Sequence, residues 1–266
     1  MPEPFFTATD GGLLPHPDAR SPWSPDMLHG RLLAGLAAWA VERDHHDPDL
    51  QPVRLTVDLY KSPTMEATTV ATTLVRDGRR VRVVDAHLQV GGVEVARAST
   101  LFLRRADAAQ LPAVDDAPRT PPWDTPPPDA LPALPMPSGS VPFEVRAPEG
   151  SGFGAPSDVT RRVWMRENRP LVGGTDLSPF VRAALLADFA SPLANMGTEG
   201  LSYINADLTL HLSRLPVGEW LGISTDDRVA ADGVSVAQCP IHDTEGPVGW
   251  SSVSAVLTPA MPRPAS

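Results

Sequence analysis

The sequence is poor in cysteine and in basic residues. Its 266 residues include one cysteine, Cys239, which excludes a disulfide within the chain and a zinc cluster built on several cysteines. We interpret Cys239 as a small buried strand residue. Lysine and arginine number 22 against 32 aspartates and glutamates, a net charge of −10. Binding to nucleic acid requires a dense basic surface that neutralises phosphates, so no nucleic-acid partner is expected.

Long apolar runs and a leader segment are also missing. The amino terminus, MPEPFFTATDGG, has no basic region followed by an apolar core and therefore predicts no signal peptide. The longest apolar helical stretch, Leu32 to Val41, is half of the ~20 residues that a membrane span requires. These absences predict a cytoplasmic protein without a membrane span.

Several motifs of familiar enzyme classes are absent as well. The sequence contains no GxSxG nucleophile elbow, no Gly-rich phosphate loop and no Ser-His-Asp arrangement that can be placed. His45 and His46 lie in a polar turn without a third ligand at a suitable spacing, so we predict no metal site. Neither a metal nor a redox cofactor is expected.

One nine-residue phrase occurs twice in the chain. LTVDLYKSP at 55–63 and LTLHLSRLP at 208–216 share leucine, threonine, leucine and proline at the same places, 153 positions apart. Lys61 and Arg214 occupy one equivalent position in the two copies. Nine residues alone could match by chance, so other features must repeat at a similar offset.

Two further features do repeat, each at an offset of 154. Ser24-Pro25 and Ser178-Pro179 each precede an apolar stretch, and the turn segment GVEVA at 92–96 has its counterpart in GPVG at 246–249. The chain is therefore predicted to be a tandem duplication with a drift of one residue.

A proline-rich stretch separates the two copies. Eleven of the 31 prolines lie between Leu111 and Pro142. Each proline fixes φ and removes a backbone donor, so this stretch can hold neither a helix nor an internal strand. We predict an N-terminal unit at residues 1–106, a linker at 107–140 and a C-terminal unit at 141–266. Trp123, within the linker, either packs onto a domain surface or is exposed.

Each copy is predicted to begin with a buried helix and to continue as a sheet. Serine can cap a helix and proline fits its first position, so each Ser-Pro dipeptide should open a helix. Ser191-Pro192 should end the second one. Both helices are apolar on nearly every side, which indicates that protein surrounds them. The repeated phrase alternates with period two, as a half-buried strand does. Turn dipeptides then separate long antiparallel strands: Asp77-Gly78, Gly91-Gly92, Asp232-Gly233 and Glu245-Gly246.

The simplest packing of these elements wraps each sheet around its helix. The predicted fold class is therefore α+β, a tandem (double) hotdog in which each half is a long antiparallel sheet around a central helix. The Ser-Pro helix, INADLTLHLSRLPVGEW and the Gly-rich returning strands resemble the second half of double-hotdog acyl-CoA thioesterases of the thioesterase II-like family. HGRLLAGLAAWAV, LTVDLYKSP and DGRRVRVVDAHLQVGGVEVARAS resemble their first half. The resemblance covers nearly the whole chain.

Asp188 is the first candidate for catalysis. At an offset of 154 it corresponds to Ala34, and between Val181 and Phe189 only Arg182 and Asp188 are not apolar. Arg182 lies about 120° away around the helix, so it is not a local partner. A carboxylate on a buried helix needs a hydrogen bond, or has a raised pKa that suits a base. A partly solvated aspartate at the helix end is the alternative.

The resemblance implies partners for Asp188. Thioesterases of this family carry an aspartate at the matching place on the second hotdog helix, where it orients a water with a strand threonine or asparagine and a last-strand glutamine. Asn205 matches the strand position, although a strand-entry asparagine can also satisfy local backbone. The glutamine position falls at Val253 or Ser254, and Ser254, whose hydroxyl can hold a water, is the third catalytic candidate. The missing glutamine predicts a weaker enzyme.

His29 and Gly30 are the candidates for substrate binding. They resemble the His-Gly pair that opens the central helix of many hotdog proteins, where backbone N–H groups polarise the thioester carbonyl. Gly30 would let the substrate approach the backbone closely. His29 could instead be a packing or capping histidine.

The resemblance implies a hydrolase that cleaves acyl-CoA or another acyl thioester with water activated by Asp188. Coenzyme A would be part of the substrate and no other cofactor would be needed. Two alternatives stay open. A hotdog pair without the glutamine could bind an acyl thioester or acyl chain without hydrolysing it. A hotdog hydratase or dehydratase ranks third, because Asp188-Phe-Ala-Ser-Pro contains no histidine. A homo-oligomer formed through the hotdog sheets is compatible with this fold.

Overall fold

The computed structural model describes residues 2–106, 123–134, 143–156 and 158–261. The first half consists of β1 Phe6–Thr9, β2 Gly12–Pro15, β3 Arg20–Ser21, β4 Ser24–Leu28, α1 Gly30–His45, β5 Leu50–Leu59, β6 Thr68–Asp77, β7 Val81–Val90 and β8 Val93–Arg104. The second half consists of β9 Phe143–Arg146, β10 Arg162–Glu167, α2 Pro179–Ala187, α3 Ala190–Asn195, β11 Met196–Gly197, β12 Gly200–Asn205, β13 Asp207–Leu212, β14 Leu221–Ser224, β15 Asp227–Ala231, β16 Val234–Asp243 and β17 Gly246–Met261.

One antiparallel sheet runs through both halves. Its strand order is β1-β2-β6-β7-β8-β5-β13-β17-β16-β14-β10-β9, with β12 also paired to β17 and β15 to β16. The predicted hairpin turns lie where these strands reverse. Helix α1 packs on β6, β7 and β8, α3 packs on β12, β16 and β17, and α1 contacts α2. Each half is thus a sheet wrapped around helices, and the predicted tandem hotdog is confirmed.

The two copies of the repeated phrase pair with each other at the centre of the sheet. Strands β5 and β13 are antiparallel, and Thr56 faces Thr209, its counterpart in the repeat. The hydroxyl oxygens of these two threonines are 3.2 Å apart. Leu55 faces Leu210, and Val57 faces Leu208. In the repeat, Leu208 corresponds to Leu55 and Leu210 to Val57, so the register is symmetric about the two threonines. The duplication therefore forms a junction with local twofold symmetry.

The prediction that Ser24-Pro25 opens a helix is wrong. Residues Ser24–Leu28 form β4, which pairs with β3, and α1 begins at Gly30 with His29 as its N-cap. The His29 N–H donates to the Ala19 carbonyl at 2.9 Å, which keeps the chain extended up to the helix start. The φ of proline suits an extended strand as well as a first helical turn, so the dipeptide alone does not decide between them.

The second helix begins as predicted but ends earlier. The Ser178 hydroxyl accepts a hydrogen bond from the Val181 N–H at 3.1 Å, as a helix cap does. Helix α2 ends before Asp188, and α3 runs through Ser191-Pro192. Proline lacks an N–H and its ring clashes with the carbonyl four residues earlier, which here belongs to Asp188. The break therefore falls one turn before Pro192 and places Asp188 at the end of α2.

The amino-terminal segment joins the first half to the second. The backbone N–H groups of Phe5 and Phe6 donate to the carbonyls of Pro170 and Leu171, each at 2.9 Å. Both phenylalanine side chains are fully buried. Phe5 and Phe6, which the sequence assigns to the N-terminal unit, thus pack against the C-terminal unit. The Phe5 ring also contacts Arg31, at the start of α1.

Trp123 packs onto the second half, which decides between the two alternatives for this residue. Its ring stacks on His242 with centroids 4.7 Å apart and meets Trp164 edge-on at 5.1 Å. Most of the predicted linker lies outside the described residues, so the unit boundaries stay predictions. Cys239 is fully buried in β16, as predicted. Within the described ranges, no helix combines the length and apolar character needed to cross a membrane.

Candidate active site

Asp188 and Asn205 meet at the end of α2. The Asn205 side-chain amide (Nδ2) donates to Asp188 Oδ1 at 2.8 Å. Asp188 is 8% exposed, and burial raises the pKa of its carboxyl, while the Asn205 hydrogen bond and the Arg31 charge partly offset this. In the described part of the chain, Asp188 Oδ2 has no hydrogen-bond partner. A carboxylate with a raised pKa and one oxygen free suits proton transfer from water.

His29 approaches the same carboxylate from the first half. Its Nδ1 lies 4.0 Å from Asp188 Oδ2, which is too far for a hydrogen bond. That nitrogen instead accepts the Arg31 backbone N–H at 3.4 Å. An accepting Nδ1 assigns the proton of the neutral ring to Nε2. Burial, assisted by the Arg31 charge, lowers the pKa of His29 to about 3. The ring is therefore a neutral donor at physiological pH.

Gly30 adds a backbone donor beside His29. Among the described residues, its N–H has no acceptor, as is usual in the first turn of a helix. A Cβ at this position would meet only the Leu59 side chain, at 4.0 Å, so the space next to the backbone is open. The helix dipole favours negative charge here. The structure thus brings His29 and Gly30 next to Asp188 and Asn205.

Ser254 is not brought to this place. Val253 and Ala255 face the core, with 1% and 3% exposure, so the strand alternation turns Ser254 to the outer face of β17. Its cross-strand neighbour Val236 is 52% exposed. Gln238, on the neighbouring strand, is also exposed. Val253 does face inwards but has no polar group. The alternation of apolar Val253 and Ala255 with serine was the sequence feature that could have shown this.

Ser251 is a supporting residue that sequence reasoning missed. It is fully buried, and its hydroxyl donates to the Ala187 carbonyl at 2.8 Å. Ala187 is the last residue of α2, where helix carbonyls lose their intrahelical partners. The bond therefore fixes the helix end directly before Asp188. In the sequence, Ser251 cannot be told from its neighbour Ser252.

A buried ion pair lies behind the site and was also missed. Arg31 Nη1 lies 2.5 Å from Glu167 Oε1, and the two side chains are only 1% and 9% exposed. The Arg31 guanidinium is 5.1 Å from the ring centroids of Phe5 and Phe143 and 5.7 Å from that of Phe189. Arg31 and Glu167 are 136 positions apart, so no local pattern links them.

The described residues contain no group of three or more histidine, cysteine, aspartate or glutamate side chains that could hold a metal ion. What the site offers is one buried carboxyl, one amide, one neutral imidazole and one free backbone N–H. This set can bind a water and a carbonyl oxygen and can move one proton.

Two family profiles match the chain, one after the other. The first is described as the acyl-CoA thioesterase N-terminal domain and matches residues 19–103. The second is described as the acyl-CoA thioesterase C-terminal domain and matches residues 108–256. Among curated proteins, none matches the chain significantly.

Solved structures with a similar fold cover most of the chain. A Thermobifida fusca YX protein described as a candidate thioesterase II is 16% identical, with 96% of this chain and 95% of that chain covered and a TM-score of 0.71. A hot dog protein of unknown function from Alicyclobacillus acidocaldarius is 18% identical, with 94% and 95% covered and a TM-score of 0.71. The acyl-CoA thioesterase II TesB2 from Mycobacterium marinum is 18% identical, with 85% and 89% covered and a TM-score of 0.62. At these identities the likeness concerns the fold.

Proposed function

Because the chain belongs to the acyl-CoA thioesterase family, whose N-terminal and C-terminal domains it carries in order, we propose that it hydrolyses acyl-CoA with Asp188 as the general base. The observation that carries this proposal is the 2.8 Å hydrogen bond from Asn205 Nδ2 to the buried Asp188 Oδ1. This bond holds one carboxyl oxygen and leaves the other to accept a proton.

In the proposed reaction, Asp188 Oδ2 accepts a hydrogen bond from a water molecule. The water oxygen attacks the thioester carbonyl carbon while its proton passes to Asp188. The tetrahedral intermediate then collapses, the carbon–sulfur bond breaks, and the departing thiolate takes the proton from Asp188. Thioester and water become carboxylic acid and thiol, and the carboxylate of Asp188 is restored.

The first half would stabilise the charge that develops on the carbonyl oxygen. The Gly30 N–H and the His29 Nε2–H are the two donors, and the dipole of α1 adds a favourable potential. The proposed site therefore needs both halves, and the acyl chain would lie between them. Ser254 has no part in it, because its side chain lies on the other face of the sheet.

The state of His29 argues against the hydratase or dehydratase alternative. Such a reaction would need His29 to take up a proton from the substrate or from water. Its Nδ1 is occupied by the Arg31 N–H at 3.4 Å, its Nε2 already carries a proton, and its pKa is lowered to about 3. A group in this state donates a hydrogen bond but is a weak base.

A protein that binds acyl thioesters without hydrolysing them is the second candidate. The observation that favours it is the buried Val253, which faces inwards at one of the two positions, Val253 and Ser254, where the family resemblance implies a water-binding glutamine. Loss of one such orienting group lowers a rate by ~10² to 10³. Slow turnover and binding without turnover must therefore be separated by experiment.

The test is release of free thiol from short, medium and long acyl-CoAs, comparing the wild-type chain with Asp188→Asn. We expect turnover with at least one substrate and a loss of ~10³ in kcat for the variant. Asp26→Asn, at an exposed position on β4, is the matched control and should leave the rate unchanged. Unchanged turnover in Asp188→Asn would contradict the proposal. Binding of acyl-CoA with no wild-type turnover would select the second candidate.

A further inference from the structure

We propose that Arg31, held by Glu167, is a positioning residue that presents a fixed positive charge near Asp188 and favours the ionised form of this carboxylate, which is the form that acts as the base. This inference rests on the proposed function and concerns the same site. Neither residue would touch the substrate. Their effect would pass through the electrostatic potential at Asp188.

Arg31 has little freedom to move. Its side chain is 1% exposed, is paired with Glu167 at 2.5 Å, and lies among the rings of Phe5, Phe143 and Phe189. A guanidinium over aromatic faces gains cation–π attraction and loses contact with water, which would otherwise screen its charge. The positive charge of Arg31 is therefore fixed in position and weakly screened.

Arg31 is also close to the reacting groups. Its backbone N–H binds His29, whose ring lies 4.0 Å from Asp188, and its guanidinium lies 5.7 Å from the ring of Phe189, the residue after Asp188. Burial lowers the pKa of His29 and raises the pKa of Asp188, and the Arg31 charge adds to the first shift and partly offsets the second. One cation thus favours a neutral histidine and an ionised aspartate, which are the two states the proposed reaction uses.

Glu167 limits how much of this charge reaches Asp188. Its Oε1 pairs with Arg31, whereas within the described residues its Oε2 and Arg31 Nε are buried without a hydrogen-bond partner. Glu167 borders a cavity about the size of one water, lined also by Arg182 and Glu219. Burial raises the pKa of Glu167. Two charged or titratable groups, His29 and Arg31, act on Asp188. Three such groups lie at Glu167: Arg31, Arg182 and Glu219.

The two residues should act on Asp188 in opposite directions. Arg31→Met keeps most of the side-chain volume but removes the cation, so the pKa of Asp188 should rise. Glu167→Gln keeps the shape and removes the anion, so the same pKa should fall. Arg31→Lys retains a positive charge and should keep the pKa of Asp188 near the wild-type value. A merely structural role would lower kcat in both variants without shifts of opposite sign.

Two readouts test this proposal in the full-length protein. The acid limb of the kcat/KM profile should move up by about one pH unit in Arg31→Met and down by a similar amount in Glu167→Gln. A 13C-carboxyl NMR titration of labelled aspartate, with the Asp188 resonance assigned by its loss in Asp188→Asn, should show the same shifts. The NMR readout needs no turnover, so it tests the pair even when no substrate is cleaved.

Shifts of equal sign, or no shift in either variant, would overturn the proposal. Circular dichroism and thermal unfolding establish that each variant is folded before it is titrated. Where Arg31→Met fails to fold, Glu167→Gln and Arg31→Lys decide the question: the first must lower the pKa of Asp188, and the second must keep it near the wild-type value.

Discussion

In the first half the dipeptide Ser24-Pro25 belongs to strand β4, whereas in the second half Ser178-Pro179 opens helix α2. Both dipeptides stand ahead of an apolar stretch at the same offset in the duplication. The repeated phrases behave differently, because β5 and β13 are both strands and pair with each other. Period-two alternation specifies a strand over many residues, while a single dipeptide is compatible with two structures. The two copies thus adopt the same structure where a hydrophobic alternation extends over many residues.

The central helices show how the halves came to differ in chemistry. Helix α1 runs unbroken from Gly30 to His45, whereas α2 ends before Asp188 because of Pro192, whose counterpart at offset 154 is Ala38. The first half contributes donors at a helix start, and the second contributes a carboxylate at a helix end. Differences between equivalent positions can therefore be used to test what each half does.

The largest expected difference concerns stability. Arg214 and Lys61 are the equivalent residues of the two phrases, and their removal should change the free energy of unfolding by very different amounts. Arg214 holds Asp243 through two contacts of 2.5 and 2.6 Å, and the Asp243 side chain is fully buried. Lys61 is exposed, with no ion pair in the described ranges. Arg214→Ala leaves a buried charge unpaired and should lower the free energy of unfolding by about 3 kcal/mol, measured with urea. Lys61→Ala should change it by less than about 0.5 kcal/mol. Equal losses would contradict this asymmetry.

The next difference concerns the amides ahead of the two phrases, Asn205 and Gln51. Asn205 binds Asp188, whereas the Gln51 amide donates to the Ser213 carbonyl at 3.0 Å on the surface. Asn205→Ala should lower kcat by ~10², because the carboxyl loses the donor that orients it. Gln51→Ala should leave kcat and KM unchanged, and so should Ser254→Ala on the outer face. A fall in kcat with Ser254→Ala would contradict the prediction that the Ser254 hydroxyl takes no part in the reaction.

A pH effect should distinguish His242 on β16 from His87 on β7. His242 is 2% exposed, and burial lowers its pKa to about 4, whereas the His87 side chain is 43% exposed and pairs with Glu94 at 2.8 Å. Between about pH 6.5 and 4, His242 is protonated in the unfolded chain but not in the folded chain. The free energy of unfolding therefore decreases as the pH falls through this range. His242→Phe should reduce the acid-induced loss by on the order of 2 kcal/mol.

Unfolding free energies at pH 8, 6.5 and 4.5 measure this effect. His87→Phe is the control and should follow the wild-type curve, because the His87 side chain is exposed to solvent. A His242→Phe curve parallel to that of the wild-type protein would show that His242 does not remain neutral in the folded state.

The smallest expected difference is between the two serines that precede proline. The Ser178 hydroxyl caps α2 and also contacts Glu42. Among the residues that the structure describes, the Ser24 hydroxyl accepts one hydrogen bond, from the Asp26 N–H at 3.3 Å on an exposed strand. Ser178→Ala should lower stability by about 1 kcal/mol. Ser24→Ala should stay within about 0.5 kcal/mol of the wild-type value. Thermal unfolding of both variants measures the difference, and equal effects would argue that Ser24 has a capping role too.

Much of the fold could be predicted because it depends on short-range chemistry. The hairpin turns at Asp77-Gly78 and Asp232-Gly233 were found from residues that tolerate turn geometry, and Asp232 and Gly233 indeed have φ of 51° and 79°. Helix α2 ends one turn earlier than predicted, because proline excludes a hydrogen bond to the carbonyl four residues before it. The start of α1 was missed because Ser-Pro fits a strand and a helix equally.

The candidate site was predictable only where one residue stood out in its own segment. Asp188 did so as a carboxylate on an apolar helix, and Asn205 was a candidate because of the family resemblance. The approach of His29 to Asp188 joins residues 159 positions apart, and the Arg31–Glu167 pair joins residues 136 apart. No periodicity relates such positions, so their contact could not be deduced from either segment.

The amino-acid sequence by itself determined the duplication, the strands and their turns, and the carboxylate carried on a buried helix, because each depends on backbone dihedral angles and on patterns over a few neighbouring residues. Only the tertiary structure decided that strands β5 and β13 pair with each other, that the Ser254 side chain lies on the outer face of β17, and that Arg31 pairs with Glu167. Hydrogen bonds and charge interactions depend on distances of a few ångströms in space, and these arise only when the two halves pack together.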